Sequence, residues 1–214
     1  MSVVNFENKK WQTKEQTMNF RLITALAMIN KGFVLDLGCG DGIFLSKLKE
    51  KGIAGEGLDI SEVAIQKAMA NGLKVRQFDF SCDKLPFTDN YFSTVTLLDV
   101  LEHLYQPQKV LQEASRVAKE IVVVVPNFSS LPARLQVLRG LAPENNTPQK
   151  GHVYWFNLEI LRKLLKENGW QIVEMQTNTF FEHYFLLKNI FRFFAKAFPK
   201  LFALSFVVRA NKSL

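Results

Sequence analysis

Cysteine is nearly absent: the 214 residues include two, Cys39 and Cys82. They form neither a Cys-x-x-Cys pair nor a spaced metal framework, so disulfides are not expected and a reducing, cytoplasmic compartment is favoured. Also missing is any apolar run close to the ~20 residues that a membrane-spanning helix requires. Residues 1–10 carry Asn, Glu and Lys where a secretory leader needs an apolar stretch. The chain is therefore expected to be soluble or at most peripheral. Internal repeats and low-complexity tracts do not occur. Tyr and Trp are sparse, at 4 and 3 against 19 Phe. Acidic residues run short in the second half: residues 1–110 hold 13 basic and 13 acidic side chains, whereas 111–214 hold 14 and 7, which accounts for the net charge of +7. From His183 onward there are Lys188, Arg192, Lys196, Lys200, Arg209 and Lys212 and no acid. Such a tail should feel anions.

What is present is an alternation of strand and helix patterns, the mark of an α/β domain with a mostly parallel sheet and helices on both faces. An amphipathic helix is expected over 17–30, followed by a strand over Phe33–Leu37 that runs into Gly38-Cys-Gly-Asp-Gly42. Further strands are expected at 54–59, 73–78, 91–100, 120–125, 170–177 and 201–209. Helices between them are marked by Ser61 as an N-cap, Pro107 as a first-turn residue, and Asn71-Gly72 and Asn168-Gly169 as exits. Seven strands fit one domain over 1–214, with a partly helical cap at 126–156 around Pro132, Pro143 and Pro148 and a lid at 180–199.

The chemistry concentrates at the ends of the early strands. Glycines at 38, 40 and 42 allow a tight turn and close approach of a ligand to the backbone. Residue 43 is Ile, so the Gly-x-Gly-x-x-Gly spacing of dinucleotide sites is not met. Asp59 closes the second strand, where a carboxylate can accept from both ribose hydroxyls of an adenosine; it also reads as a helix N-terminal acid before Ser61. Asp79 and Phe80 follow the third strand, an acid and a ring suited to an adenine amino group and its flank.

On these residues the sequence resembles the class I S-adenosylmethionine-dependent methyltransferases, from Phe33 to Lys212. The resemblance implies a Rossmann-like fold and places Asp36, Gly38, Cys39, Gly40 and Gly42 against the amino-acid part of the cofactor. It places Asp59 at the ribose, Ile60, Asp79 and Phe80 around the adenine, and Asp99 and Val100 beneath the methionine moiety, with S-adenosylhomocysteine as product. Two narrower likenesses accompany it. Arg116 to Phe128 and Arg134 to Gly140 are similar to methyltransferase-like proteins of methionine biosynthesis. Leu101-Glu-His-Leu104 with His152-Val-Tyr-Trp-Phe156 is similar to ubiquinone-biosynthesis O-methyltransferases. The Asn-Pro-Pro-Tyr signature of amino-methyltransferases is missing, which disfavours a nucleobase nitrogen as target.

Methyl transfer to a hydroxyl needs alignment and proton removal. The candidate bases are His103 and His152, each of which also reads as a structural histidine. Asp99-x-x-Glu102-His103 with His152 resembles the metal-binding set of small-RNA 2′-O-methyltransferases, but Asp stands where that family has Glu, and no metal is expected. The acceptor is expected to be a small or lipid-like molecule methylated on oxygen. The alternatives are a non-catalytic partner in methionine biosynthesis and an RNA 2′-O-methyltransferase; no RNA-binding module or stacking platform is evident, so nucleic acid is disfavoured. The segment 183–200 reads as a lid with Phe side chains in the core and Lys and Arg in solvent, or as a basic amphipathic helix in weak contact with an anionic membrane.

Overall fold

The computed structural model describes residues 2–13, 15–81, 84–144, 147, 150–179 and 185–213, excepting the side chains of 185–188. Cys82, Asn145, Asn146, Pro148 and residues 180–184 lie outside these. The seven-stranded sheet has the order β3-β2-β1-β4-β5-β7-β6. Its strands are β1 (Phe33–Leu37), β2 (Ala54–Asp59), β3 (Val75–Gln77), β4 (Phe92–Leu98), β5 (Ala118–Pro126), β6 (Trp170–Asn178) and β7 (Ser205–Lys212). β1 to β5 pair in parallel, and β7 runs antiparallel between β5 and β6.

The apolar run of β5 explains why it is central. Ile121 to Val125 are all fully buried, and consecutive side chains feed opposite faces. Val123 and Val125 join one core with α5 (Pro107–Val117) and α7 (Leu158–Glu167), through Val110, Leu111 and Leu161. Val122 and Val124 join the other core with α2 (Phe20–Ala27), α3 (Ile43–Glu50) and α4 (Glu62–Ala70), through Leu22, Leu48 and Ile65. Both faces are thus covered by helices.

Boundaries move where local chemistry overrides periodicity. The helix expected over 17–30 starts at Phe20 because the Asn19 side chain accepts from the amides of Arg21 and Leu22 as an N-cap. The last strand starts at Ser205 rather than 201, since Pro199–Phe202 forms a short helix, α9. The cap contributes α6 (Leu131–Leu138), and the segment before α9 contributes α8 (Phe185–Ala197). Also unanticipated is α1 (Val3–Thr13), whose one buried residue is Trp11. Among the described residues of 183–199, Phe193, Phe194 and Phe198 do not join the core as expected. Phe193 is 67% exposed and Phe198 58%, because α8 meets the body through Ala195.

Candidate active site

Strand order reverses between β1 and β4, so the loops leaving their carboxyl ends diverge and open a crevice, the usual ligand position in open α/β sheets. The glycine loop enters it from β1. Gly38 and Cys39 donate their amides to the Leu58 carbonyl at 2.7 and 3.1 Å, tying the loop to β2. Gly38 has φ +76, and a Cβ there would fall 2.5 Å from Val100 Cγ2. Gly38→Ala is therefore expected to lower stability by about 2–3 kcal/mol. Val100→Ala in the same chain should restore the steric part, leaving the backbone part; urea unfolding of the two variants measures both.

Asp59 sits at the centre, 6% exposed. Its Oδ2 accepts from the Gly40 amide at 2.9 Å and its Oδ1 from the Ser61 amide at 2.8 Å. Each oxygen keeps a further lone pair. Burial raises its pKa, and the Ser61 and Gly40 amides oppose that rise. Ser61 caps α4 by accepting from the Ala64 amide. Asp36 lies beneath the loop, 2% exposed, and accepts from the Thr96 hydroxyl at 2.5 Å. Burial pushes its pKa up to about 7, with the Thr96 bond opposing and Asp59 reinforcing the shift. Burial likewise holds the Cys39 thiol well above its ordinary range.

Asp79 accepts from the Ser81 amide and hydroxyl at 3.0 and 2.5 Å, Phe80 packs on the core, and Ile60 stands half-buried after β2. Asp99, at the exit of β4, adopts φ +57, a conformation Asp tolerates better than most residues. Its Oδ1 accepts from Arg21 Nη1 at 2.8 Å. Arg21, at the start of α2, was not anticipated from sequence; nothing in its neighbourhood along the chain points to Asp99.

The turn after β4 brings the two histidines together. Val153 and Tyr154 donate their amides to the Glu102 carbonyl at 2.8 and 3.0 Å, clamping the cap onto residues 101–103. The His103 and His152 ring centroids are then 4.8 Å apart. His103 Nδ1 lies 3.1 Å from the Gly151 carbonyl oxygen. A carbonyl can only accept, so this contact selects the Nδ1–H tautomer and leaves the lone pair on Nε2. Glu102, 1% exposed, has no hydrogen-bond partner at Oε2. Burial and the nearby Asp99 hold its carboxyl well above the usual range. Glu102, His103 and His152 each offer one atom within 4.8 Å of the others, a mixed oxygen and nitrogen set that could hold a transition-metal ion. Asp99, the fourth residue of the set read from sequence, is engaged by Arg21.

α1 lies over this edge. A Cβ at Gly40 would meet the Trp11 ring at 2.4 Å, and one at Gly151 would meet the Phe6 ring at 3.0 Å. Between them, Asn8 Oδ1 accepts from the Ser61 hydroxyl at 2.8 Å. The helix therefore spans from the glycine loop to the histidine pair. An open groove of about 1000 Å³ lies elsewhere, lined by Lys31, Ser93, Lys119 and Arg209 at the opposite end of the sheet.

The family model described as methionine biosynthesis protein MetW matches residues 18–166. The chain belongs to the MetW family. Among curated proteins it is similar to the ubiquinone biosynthesis O-methyltransferase of Idiomarina loihiensis, at 31% identity covering 40% of this chain and 37% of that protein. The same enzyme of Nitrosomonas europaea is 30% identical, with 40% and 39% covered. The likeness thus spans about two fifths of the length of these relatives. Solved structures match over nearly the whole chain. Magnesium protoporphyrin IX methyltransferase from Synechocystis PCC 6803, solved with bound SAH, superposes with a TM-score of 0.68 at 18% identity, covering 99% of this chain and 95% of that one. A SAM-dependent methyltransferase from Archaeoglobus fulgidus gives 0.66 at 20% identity, covering 99% and 100%. The architecture of this MetW-family chain is that of the class I S-adenosylmethionine-dependent methyltransferases.

Proposed function

We propose that the chain binds S-adenosylmethionine at the carboxyl ends of β1 and β2 and transfers its methyl group to an oxygen of a small-molecule or lipid-like acceptor. The observation that carries this reading is the Asp59 carboxylate, oriented by the Gly40 and Ser61 amides with one lone pair per oxygen to spare. That geometry suits a vicinal ribose diol. In this reading Gly38, Cys39, Gly40 and Gly42 line the amino-acid part, with Asp36 beneath them. Ile60, Asp79 and Phe80 surround the adenine, and Asp99 and Val100 underlie the methionine moiety. When bound, the cofactor supplies a methyl group already activated by a sulfonium, so the protein's task is alignment and proton removal. His103 Nε2 and the adjacent His152 are the groups placed to take the acceptor's hydroxyl proton. An oxygen acceptor is supported by the names of the curated relatives, which are O-methyltransferases.

The test is methyl-labelled cofactor incubated with the protein and a fractionated cell extract. Label is expected in the small-molecule or organic-soluble fraction; label confined to RNA, or in no fraction, contradicts the reading. Once an acceptor is in hand, His103→Ala or His152→Ala is expected to lower transfer by about 10²–10⁴-fold while cofactor affinity is unchanged. Transfer unchanged in both variants removes the base assignment. The family match favours a second reading, a non-catalytic partner in methionine biosynthesis. It predicts retention of cofactor binding, co-purification with an enzyme of that pathway and no label transfer.

A further inference from the structure

α6 and α8 leave the carboxyl ends of β5 and β6, the same edge of the sheet that holds the glycine loop and Asp99. Both helices keep large apolar side chains in solvent. On α8, Ile190, Phe193 and Phe194, and just beyond it Phe198, recur at helical spacing and are all exposed; the Phe194 ring leans on Phe202 at 5.2 Å between centroids, and the stripe otherwise faces solvent among the described residues. Arg192 and Lys196, one turn apart, are also exposed. On α6 and just beyond it, Leu135, Leu138 and Leu141 are exposed beside Arg134 and Arg139, and Leu138 reaches 81%. Residues 127–143 contain no acid, nor do residues 183–214. The Arg192 guanidinium stands 6.0 Å from the centre of the Phe20 ring, next to the Arg21 that pairs with Asp99, so α8 borders the site.

We infer that this edge docks on the surface of an anionic lipid bilayer. The Ile and Phe stripe enters the boundary between headgroups and acyl chains, and the basic side chains meet lipid phosphates. Other occupants satisfy one half of the surface each. A second copy of the chain would cover the stripe but would bring the same positive charge against it. A nucleic acid would match the charge but leave Ile190 and the Phe row without apolar partners. An anionic bilayer matches both, and it would present a lipid-like acceptor at the edge where the histidines lie. The docking goes beyond methyl transfer, and its test uses neither cofactor nor acceptor.

The experiment is flotation of the full chain with vesicles of phosphatidylcholine alone or with added phosphatidylglycerol. Binding is expected to the mixed vesicles only, weakening as salt is raised. Lys196→Glu should weaken it roughly fivefold or more. The double variant Phe193→Ser/Phe198→Ser should weaken it about tenfold or more, with an unchanged unfolding temperature because both side chains lie in solvent. Equal binding to both vesicle types, or none to either, overturns the inference. So does a double variant that binds as the unmodified chain does, since adsorption is then electrostatic alone. Concentration-dependent self-association that the double variant loses, without vesicle binding, assigns the face to a second copy and overturns it as well.

Discussion

Asp59→Ala is expected to weaken S-adenosylmethionine binding by about a hundredfold or more. A carboxylate accepting two ribose hydroxyls makes hydrogen bonds worth about 1.5–3 kcal/mol each, and both vanish with the side chain. A second effect accompanies the first. The Gly40 and Ser61 amides lose their acceptors at 2.9 and 2.8 Å, and a buried unsatisfied N–H costs about 1–3 kcal/mol. The substitution should therefore also lower the unfolding free energy by about 2–6 kcal/mol. Asp59→Asn separates the two: its carbonyl oxygen still serves one amide, while its NH₂ faces the other. It should retain more stability than the Ala variant yet bind cofactor poorly. Calorimetry with denaturant unfolding of both variants checks the pair, and an Ala variant that binds as tightly as the parent removes Asp59 from the site.

The second large effect concerns pH. Asp36 has its folded-state pKa raised to about 7 from 3.8, so between those values the folded chain binds more protons than the unfolded one. Stability must then fall as pH rises, from its full value below about pH 4 to a plateau above about pH 7. Between pH 5 and 8 the loss through this one group is about 3 kcal/mol. Asp36→Asn removes it while keeping an acceptor for the Thr96 hydroxyl. The variant should be the more stable chain at pH 8, with a shallower slope between pH 5 and 7. Some slope should persist, because burial raises Asp59 and Glu102 in the same direction. Urea unfolding across that range gives both numbers; a parent chain whose stability rises with pH contradicts the assignment. A bound sulfonium and ammonium would favour the ionised acids, so cofactor affinity should increase over the same pH interval, with proton release.

These acids were legible in the sequence because strand ends and glycine loops are written locally. Asp36 and Asp59 sit two residues before a glycine and two before an N-cap serine, and no tertiary information is needed to place them at strand exits. Periodicity failed where a segment's stability comes from what it touches. α1 carries only a short apolar face, Val3, Val4, Phe6 and Trp11 among polar residues, and what holds it is the Trp11 ring on Gly40, Asn8 on Ser61 and Phe6 on Gly151. Four apolar residues spread over eleven positions are too few for periodicity to announce a helix. Arg21 meets Asp99 across 78 positions of chain, a pairing that no local pattern encodes. The Phe row of α8 misled in the opposite way, since an apolar stripe states that something covers it without saying whether the cover is the protein's own core.

The most direct test of the account is a calorimetric titration of the unmodified chain with S-adenosylmethionine and S-adenosylhomocysteine, with NADH as control. The account predicts saturable one-to-one binding of the first two, in the micromolar range or tighter, and no heat with NADH. No binding of either sulfur compound, or a preference for NADH, would contradict it.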